Sequence, residues 1–239
     1  MRLLLAFVPV LGLAVVVLPS LADAQDVQVM APSFEVGDEI VYTDGKMQYV
    51  STTTSWTKSE HVVRSQVPGE VGQIQVYDHN LRALSTETAD GAARWELAPH
   101  NFKYDFPLSV GHKWSGRYEM TTVLKGEVRE VVTTDIECAA LCLERITVPA
   151  GTFDTFRIAC SVNRTGSEPF QHVYWYAPSI GVSVLNRILA TDTGALIDEY
   201  MVQSYRRSSI VEFDVLPDDV ESTCEEAVSM NEPTALMQD

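Results

Sequence analysis

Residues 148–162 read Val-Pro-Ala-Gly-Thr-Phe-Asp-Thr-Phe-Arg-Ile-Ala-Cys-Ser-Val, and the fold class follows from them. Pro149 fixes φ and Gly151 permits positive φ, so Val148–Asp154 reads as a turn between two strands. After the turn, Phe156, Ile158, Cys160 and Val162 alternate with Arg157, Ala159 and Ser161. A period of two is the pattern of a strand with one face buried. Working outward, Tyr118, Met120, Thr122 and Leu124 alternate in the same way against Arg117, Glu119 and Thr121. Gln73-Ile74-Gln75-Val76 repeats the pattern, Val173–Tyr176 is aromatic and β-prone, and Leu196–Val202 supplies a further strand. Asp44-Gly45, Pro68-Gly69, Asp90-Gly91 and Asp192–Gly194 punctuate these runs as turns. No stretch after residue 24 carries a helical stripe over three turns. The expectation is an all-β protein: an antiparallel curved sheet, half-barrel or sandwich.

The N-terminus has a different character. Arg2 precedes the apolar run Leu3–Leu18, Pro19-Ser20 breaks it, and Ala22-Asp23-Ala24 has the small-x-small form of a cleavage site. That order predicts a secretory signal peptide over 1–24, cut after Ala24. Sixteen apolar residues are short for a membrane span, and no later segment is long and apolar enough for one. About 215 residues would remain. They divide into a leader (25–33), a β-domain (34–205) and an acidic tail (206–239) expected to be largely disordered. The tail sets Arg206 and Arg207 against nine acids. Phe34–Tyr42 weakly echoes Ser109–Tyr118, which raises two related β-units with a sub-boundary near residue 104. The formal net charge of −16 implies an acidic surface that disfavours nucleic acid and anionic lipid headgroups.

An exported chain meets an oxidising compartment, so Cys138, Cys142, Cys160 and Cys224 are expected to form disulfides. Four cysteines allow three full pairings. A hairpin centred on Gly151 places Cys142 opposite Cys160, and that pairing is the one expected. The same register sets Glu144 against Ile158, which is unattractive. Cys138–Cys142 is the rival, and Cys224 in the tail is free in either case. A zinc site is not expected, because no His falls near the Cys-x3-Cys spacing.

Three phrases extend this reading. They are Phe106-Pro107-Leu108-Ser109-Val110-Gly111-His112-Lys113-Trp114, Val148-Pro149-Ala150-Gly151-Thr152-Phe153-Asp154-Thr155, and Trp175-Tyr176-Ala177-Pro178-Ser179-Ile180-Gly181. In this order and spacing the chain resembles a family of exported bacterial β-proteins of unknown function, over about residues 104–205. The resemblance implies a periplasmic or surface-attached protein, and a curved antiparallel sheet or half-barrel similar in outline to periplasmic lipoprotein carriers. Many members are lipoproteins, whereas this chain has no cysteine before Cys138. The resemblance implies no activity and brings no catalytic residues.

Catalytic motifs are not found. The histidines His61, His79, His100, His112 and His172 form no H-x-H or H-E-x-x-H, and there is no G-x-S-x-G elbow, P-loop or dinucleotide fingerprint. Neither a metal site nor a cofactor is expected. Asp78-His79 are neighbours, which point to opposite faces of a strand. Acidic pairs such as Glu35/Asp38 and Asp198/Glu199 are what an acidic chain produces by chance. The aromatic set Trp114, Tyr118, Tyr174, Trp175 and Tyr176 is the candidate ligand-binding surface, set against the plainer reading that these residues fill the core. The expected function is a non-catalytic periplasmic or secreted protein that binds an apolar or amphiphilic ligand, such as a lipid, or an envelope protein partner. The alternatives are a structural assembly factor, or a hydrolase built around Asp78 or His112.

Overall fold

The computed structural model describes residues 27–216 and 222–224. The expected signal peptide and cleavage site lie outside the described residues, as does most of the chain beyond 216. Fourteen strands and no helix make up the described chain. They are β1 (Gln28–Val29), β2 (Glu39–Thr43), β3 (Gln48–Trp56), β4 (His61–Gln66), β5 (Gln73–Tyr77), β6 (Ala83–Thr88), β7 (Ala93–Ala98), β8 (Leu108–Ser109), β9 (Lys113–Leu124), β10 (Glu127–Val148), β11 (Gly151–Arg164), β12 (Phe170–Ala177), β13 (Val182–Ala190) and β14 (Leu196–Arg206).

Twelve of these strands close an antiparallel barrel in the order β10-β11-β12-β13-β14-β2-β3-β4-β5-β6-β7-β9, and β1 pairs with β8 beside it. Closure removes the edge strands that an open sheet would leave exposed. The residue-104 sub-boundary does not separate two sheets. Ala93 pairs with Leu124 and Ala98 with Glu119, so β7 and β9 join the two halves directly. The leader begins with β1, whose Gln28 pairs with Ser109.

Alternation sets what faces inward. Along β7, Arg94, Glu96 and Ala98 are exposed, while Ala93, Trp95 and Leu97 are half-buried. The meander puts six hairpin turns at one end of the barrel, within residues 44–47, 68–71, 89–92, 125–126, 165–169 and 191–195, and all are exposed. The opposite end is plugged. The segment between β7 and β8 tucks inward there, with Tyr104 and Leu108 buried beside Phe34, Leu81 and Leu216. Gly116 makes this possible. A Cβ on Gly116 would lie 2.5 Å from the ring of Phe102, so only glycine admits the plug segment so close to β9. The Trp114 indole N–H then donates to the Phe102 carbonyl at 2.8 Å.

One correction follows. The disulfides are Cys138–Cys160 and Cys142–Cys224, not Cys142–Cys160, and Cys224 is not free. The hairpin loop is Pro149-Ala150, with Val148 opposite Gly151, so the centre of symmetry precedes Gly151. That loop position sets Cys142 against Arg157, and a β-bulge between Ala140 and Cys142 then shifts the register, which sets Cys138 against Cys160. The first residues of the tail, 207–216, pack on the barrel. Leu216 is buried, and Phe213 lies 5.9 Å from Phe156, ring to ring. Asp154 holds this segment. It accepts from the backbone N–H groups of Val215 and Leu216, each at 2.9 Å, and pairs with Arg145 at 2.6 Å. Arg207 pairs with Asp38 at 3.1 Å, both nearly fully buried, and lies over the Phe34 ring at 4.1 Å.

Candidate functional site

Between the plug and the exposed turns lies a cavity of about 640 Å³. That is within the range of roughly 300–1,000 Å³ typical of small-molecule sites. Its wall is mostly aromatic and aliphatic, because the inward positions of nearly every strand carry such residues. Tyr42 and Tyr49 stack with centroids 4.9 Å apart, and Tyr200 meets both edge-on at 6.1 and 6.2 Å. Burial pushes the hydroxyl pKa values of Tyr42, Tyr49, Tyr77 and Tyr200 upward, so these phenols are neutral.

The candidate aromatics from the sequence separate on this geometry. Tyr118 and Tyr174 line the cavity; Trp114, Trp175 and Tyr176 do not. Tyr176 is wholly buried in the core around the plug, 5.3 Å from Tyr104 and 5.5 Å from Phe106. Trp175 faces the other side of β12. There it packs in a second cluster with Val148, Phe153 and Leu185, and its indole N–H donates to Glu144 at 2.8 Å. Trp114 is core, held by the Phe102 carbonyl.

Sequence reasoning missed most of the wall. Tyr42 and Tyr77 come from short strands and Tyr200 from the longer β14, and each lies on a strand that alternates. That period-two signal was present in the sequence. Lys103 carried no such signal. It lies in the plug segment, partly exposed and facing the cavity. Its Nζ lies 4.6 Å from the Tyr174 ring centroid and 5.1 Å from that of Tyr104. Burial lowers its pKa to about 8. Beside it, His172 Nδ1 and the Tyr174 hydroxyl are 2.7 Å apart. The pKa of His172 falls to about 3, first through burial and then through the charge of Lys103. His61 Nε2 lies 3.0 Å from the Thr53 hydroxyl. Its pKa falls to about 4, through burial first and the charge of Arg207 next. Both rings are neutral at ordinary pH.

The cavity wall contains one carboxylate among the described residues, Asp38. Burial raises its pKa, but bonds from the Glu35 N–H and from the Ser208 N–H and hydroxyl, together with the Arg207 charge, lower it by more. Asp38 is therefore ionised and fully engaged. Of the residues considered for hydrolysis, His112 meets a carboxylate and Asp78 does not meet a histidine. Asp78 is bound to Arg82 and to the Asn80 and Arg82 backbone, and His112 lies 3.1 Å from Asp105 away from the cavity. Cys142, Glu144 and Cys224 come together, but both sulfurs are consumed by their disulfide.

Compared with known proteins, the sequence matches no family profile and no curated protein. Solved structures do match. A Bacteroides fragilis protein, described as exported and as having a YmcC-like fold, aligns with a TM-score of 0.52 at 16% identity, over 76% of this chain and 100% of its own. The chain shares that fold. The hypothetical lipoprotein YmcC of Escherichia coli K12 aligns at a TM-score of 0.46 and 14% identity, over 78% of this chain and 93% of its own. A lipoprotein of Parabacteroides distasonis aligns at 0.43 and 11%, over 74% and 99%.

Proposed function

We propose that this protein is an exported, non-catalytic binding protein that holds an apolar or amphiphilic molecule inside its barrel. The observation that carries the reading is the cavity of about 640 Å³ behind an aromatic wall. A lumen of this kind shields a ligand from water along the barrel wall and at the plug, so apolar burial supplies the affinity. The charged outer face, with Arg94, Glu96, Arg117 and Glu119 outward, is the reverse of a membrane-spanning barrel, whose outer face is apolar. Export is supported by the signal-peptide pattern, by two disulfides and by the exported description of the Bacteroides fragilis fold relative. The non-catalytic reading is supported by a wall whose one carboxylate among the described residues, Asp38, is already engaged by Arg207, Ser208 and Glu35.

Mass spectrometry of the protein purified from the periplasm under native conditions tests this. The reading expects a reproducible extra mass that leaves on denaturation and proves to be an amphiphile. A bare mass, and no binding of dodecanoate or dodecanol added afterwards, would overturn it.

A second reading, a role in docking or assembly with an envelope protein, has its own observation. Met47, Val71, Leu124, Val128 and Leu196 are exposed at or beside the hairpin turns of the unplugged end. Crosslinking in the envelope through these positions would recover a partner if that reading holds.

A further inference from the structure

The protein as a whole carries a net charge of −16, yet its cavity has the opposite bias. Three fully charged side chains line it: Asp38, Lys103 and Arg164. Asp38 is neutralised by Arg207 from behind the wall. Lys103 and Arg164 have no carboxylate within ion-pair distance among the described residues; Lys103 contacts only the faces of Tyr104 and Tyr174, and Arg164 the face of Phe170 at 5.9 Å. Burying a cation without a counter-charge costs free energy, so a chain rich in acids that leaves two cations unpaired in one cavity has left a place for an anion.

The neighbours of Lys103 add to this. An ammonium has three donors and no acceptor, and no hydrogen bond uses those of Lys103 among the described residues. His172 also lines the cavity and has a buried Nε2 without a partner. When the Tyr174 hydroxyl donates to Nδ1, the proton of the neutral ring sits on Nε2, which adds a further unused donor. The other face of the cavity, around Tyr42, Tyr49 and Tyr200, is uncharged.

Resting on the reading of the lumen as an amphiphile site, we propose that its ligand carries a single anionic head, of the carboxylate or phosphate-monoester kind, which pairs with Lys103 at the plug while its apolar chain lies against the tyrosine wall. Arg164, at the end of β11 beside the exposed turn 165–169, is the cation the head meets nearer the unplugged end.

The test compares dodecanoate, dodecanol and acetate by titration calorimetry on the full mature protein and on its Lys103→Met variant. The expected result is that dodecanoate binds about tenfold or more tightly than dodecanol to the unaltered protein, that acetate binds far more weakly than either, and that Lys103→Met brings dodecanoate and dodecanol to within a few-fold of each other. Equal affinity for dodecanoate and dodecanol in the unaltered protein overturns the anionic head while leaving the lumen reading intact, and this comparison does not depend on the variant folding. A preference for dodecanoate that survives Lys103→Met overturns the role of Lys103. Acetate binding as tightly as dodecanoate overturns the amphiphile in favour of a small free anion. Binding of none of the three overturns both this proposal and the lumen reading.

Discussion

The two walls of the barrel use the same alternation for different ends. On β11 and β12 the inward residues toward the plug are fully buried and lie outside the cavity lining: Phe156, Ile158 and Tyr176 are 0% exposed, whereas Val162, His172 and Tyr174 of the same strands line the cavity. The three buried residues meet the plug, the segment 207–216 and each other, and a disulfide joins β10 to β11. On β5 to β7 the inward residues Gln75, Tyr77, Thr86 and Trp95 are only half-buried, because what lies across from them is the cavity. Inward direction is set by strand period, whereas burial is set by what the rest of the chain brings opposite. Phe156, Ile158 and Tyr176 are core, whereas Gln75, Tyr77, Thr86 and Trp95, like Tyr174 and His172, line a site.

That contrast gives substitutions of unequal cost. Phe156→Ala, on the core wall, should destabilise by about 3–5 kcal/mol, since no neighbour can fill the space. Asp38→Ala belongs to the same range, about 3–5 kcal/mol, because it strands the buried Arg207 and frees the Ser208 and Glu35 N–H groups. Tyr77→Ala, on the lining wall, should cost about 1–2 kcal/mol, because its ring is already against open space. Denaturant unfolding of all three checks this order. Equal costs for Phe156→Ala and Tyr77→Ala would mean that the two walls are packed alike and that the cavity is closed in solution.

Lys103→Met is expected to work in the other direction. Burial holds the Lys103 pKa near 8, below the ordinary 10.5, so folding below that pH carries the cost of the charge. Removing it should stabilise the unliganded protein by on the order of 1–2 kcal/mol. A loss of stability would mean that the ammonium has a structural partner.

The last effect is on pH dependence. His61 and His172 have folded pKa values of about 4 and 3 against an ordinary 6.5. Between those values the unfolded chain binds protons that the folded chain does not, so stability is fully present above about pH 6.5 and falls as the pH drops. The loss continues to about pH 4 for His61 and about pH 3 for His172. A His172→Gln variant should show a shallower decline over that range in thermal melts; an unchanged slope would place the His172 ring in water.

How much of this the sequence disclosed follows from how far each feature is local. Strand class and turns were legible, since the alternation of Phe156, Ile158 and Cys160 with Arg157 and Ala159 and the Pro149–Gly151 turn are written in adjacent residues. Barrel closure was not, because pairing β14 with β2 joins residues about 160 positions apart and no periodicity records it. The disulfide pairing turned on a single bulged residue at Leu141, which period-two reasoning cannot see. The aromatic candidates were legible as inward or outward, as with Tyr174 and Trp175, but not as lining or core. Tyr118 lines the cavity and Tyr176 does not, and the difference lies in the plug, which folds inward only because Gly116 lets Phe102 approach. Lys103, in a segment without period or charged partner, left no trace at all.

The central claim is that the space inside the barrel is where the ligand sits. Thr86 lines that space from β6, pairing with Gln75 and Trp95 across the sheet. A tryptophan there would fill part of the cavity without touching the core wall. The most direct measurement is a native mass spectrum of Thr86→Trp beside the unaltered protein, each loaded with dodecanoate at the same concentration. The account predicts a bound mass on the unaltered protein and little or none on the variant, with the melting temperature kept. A bound mass that persists undiminished on the folded variant would place the ligand elsewhere and contradict the account.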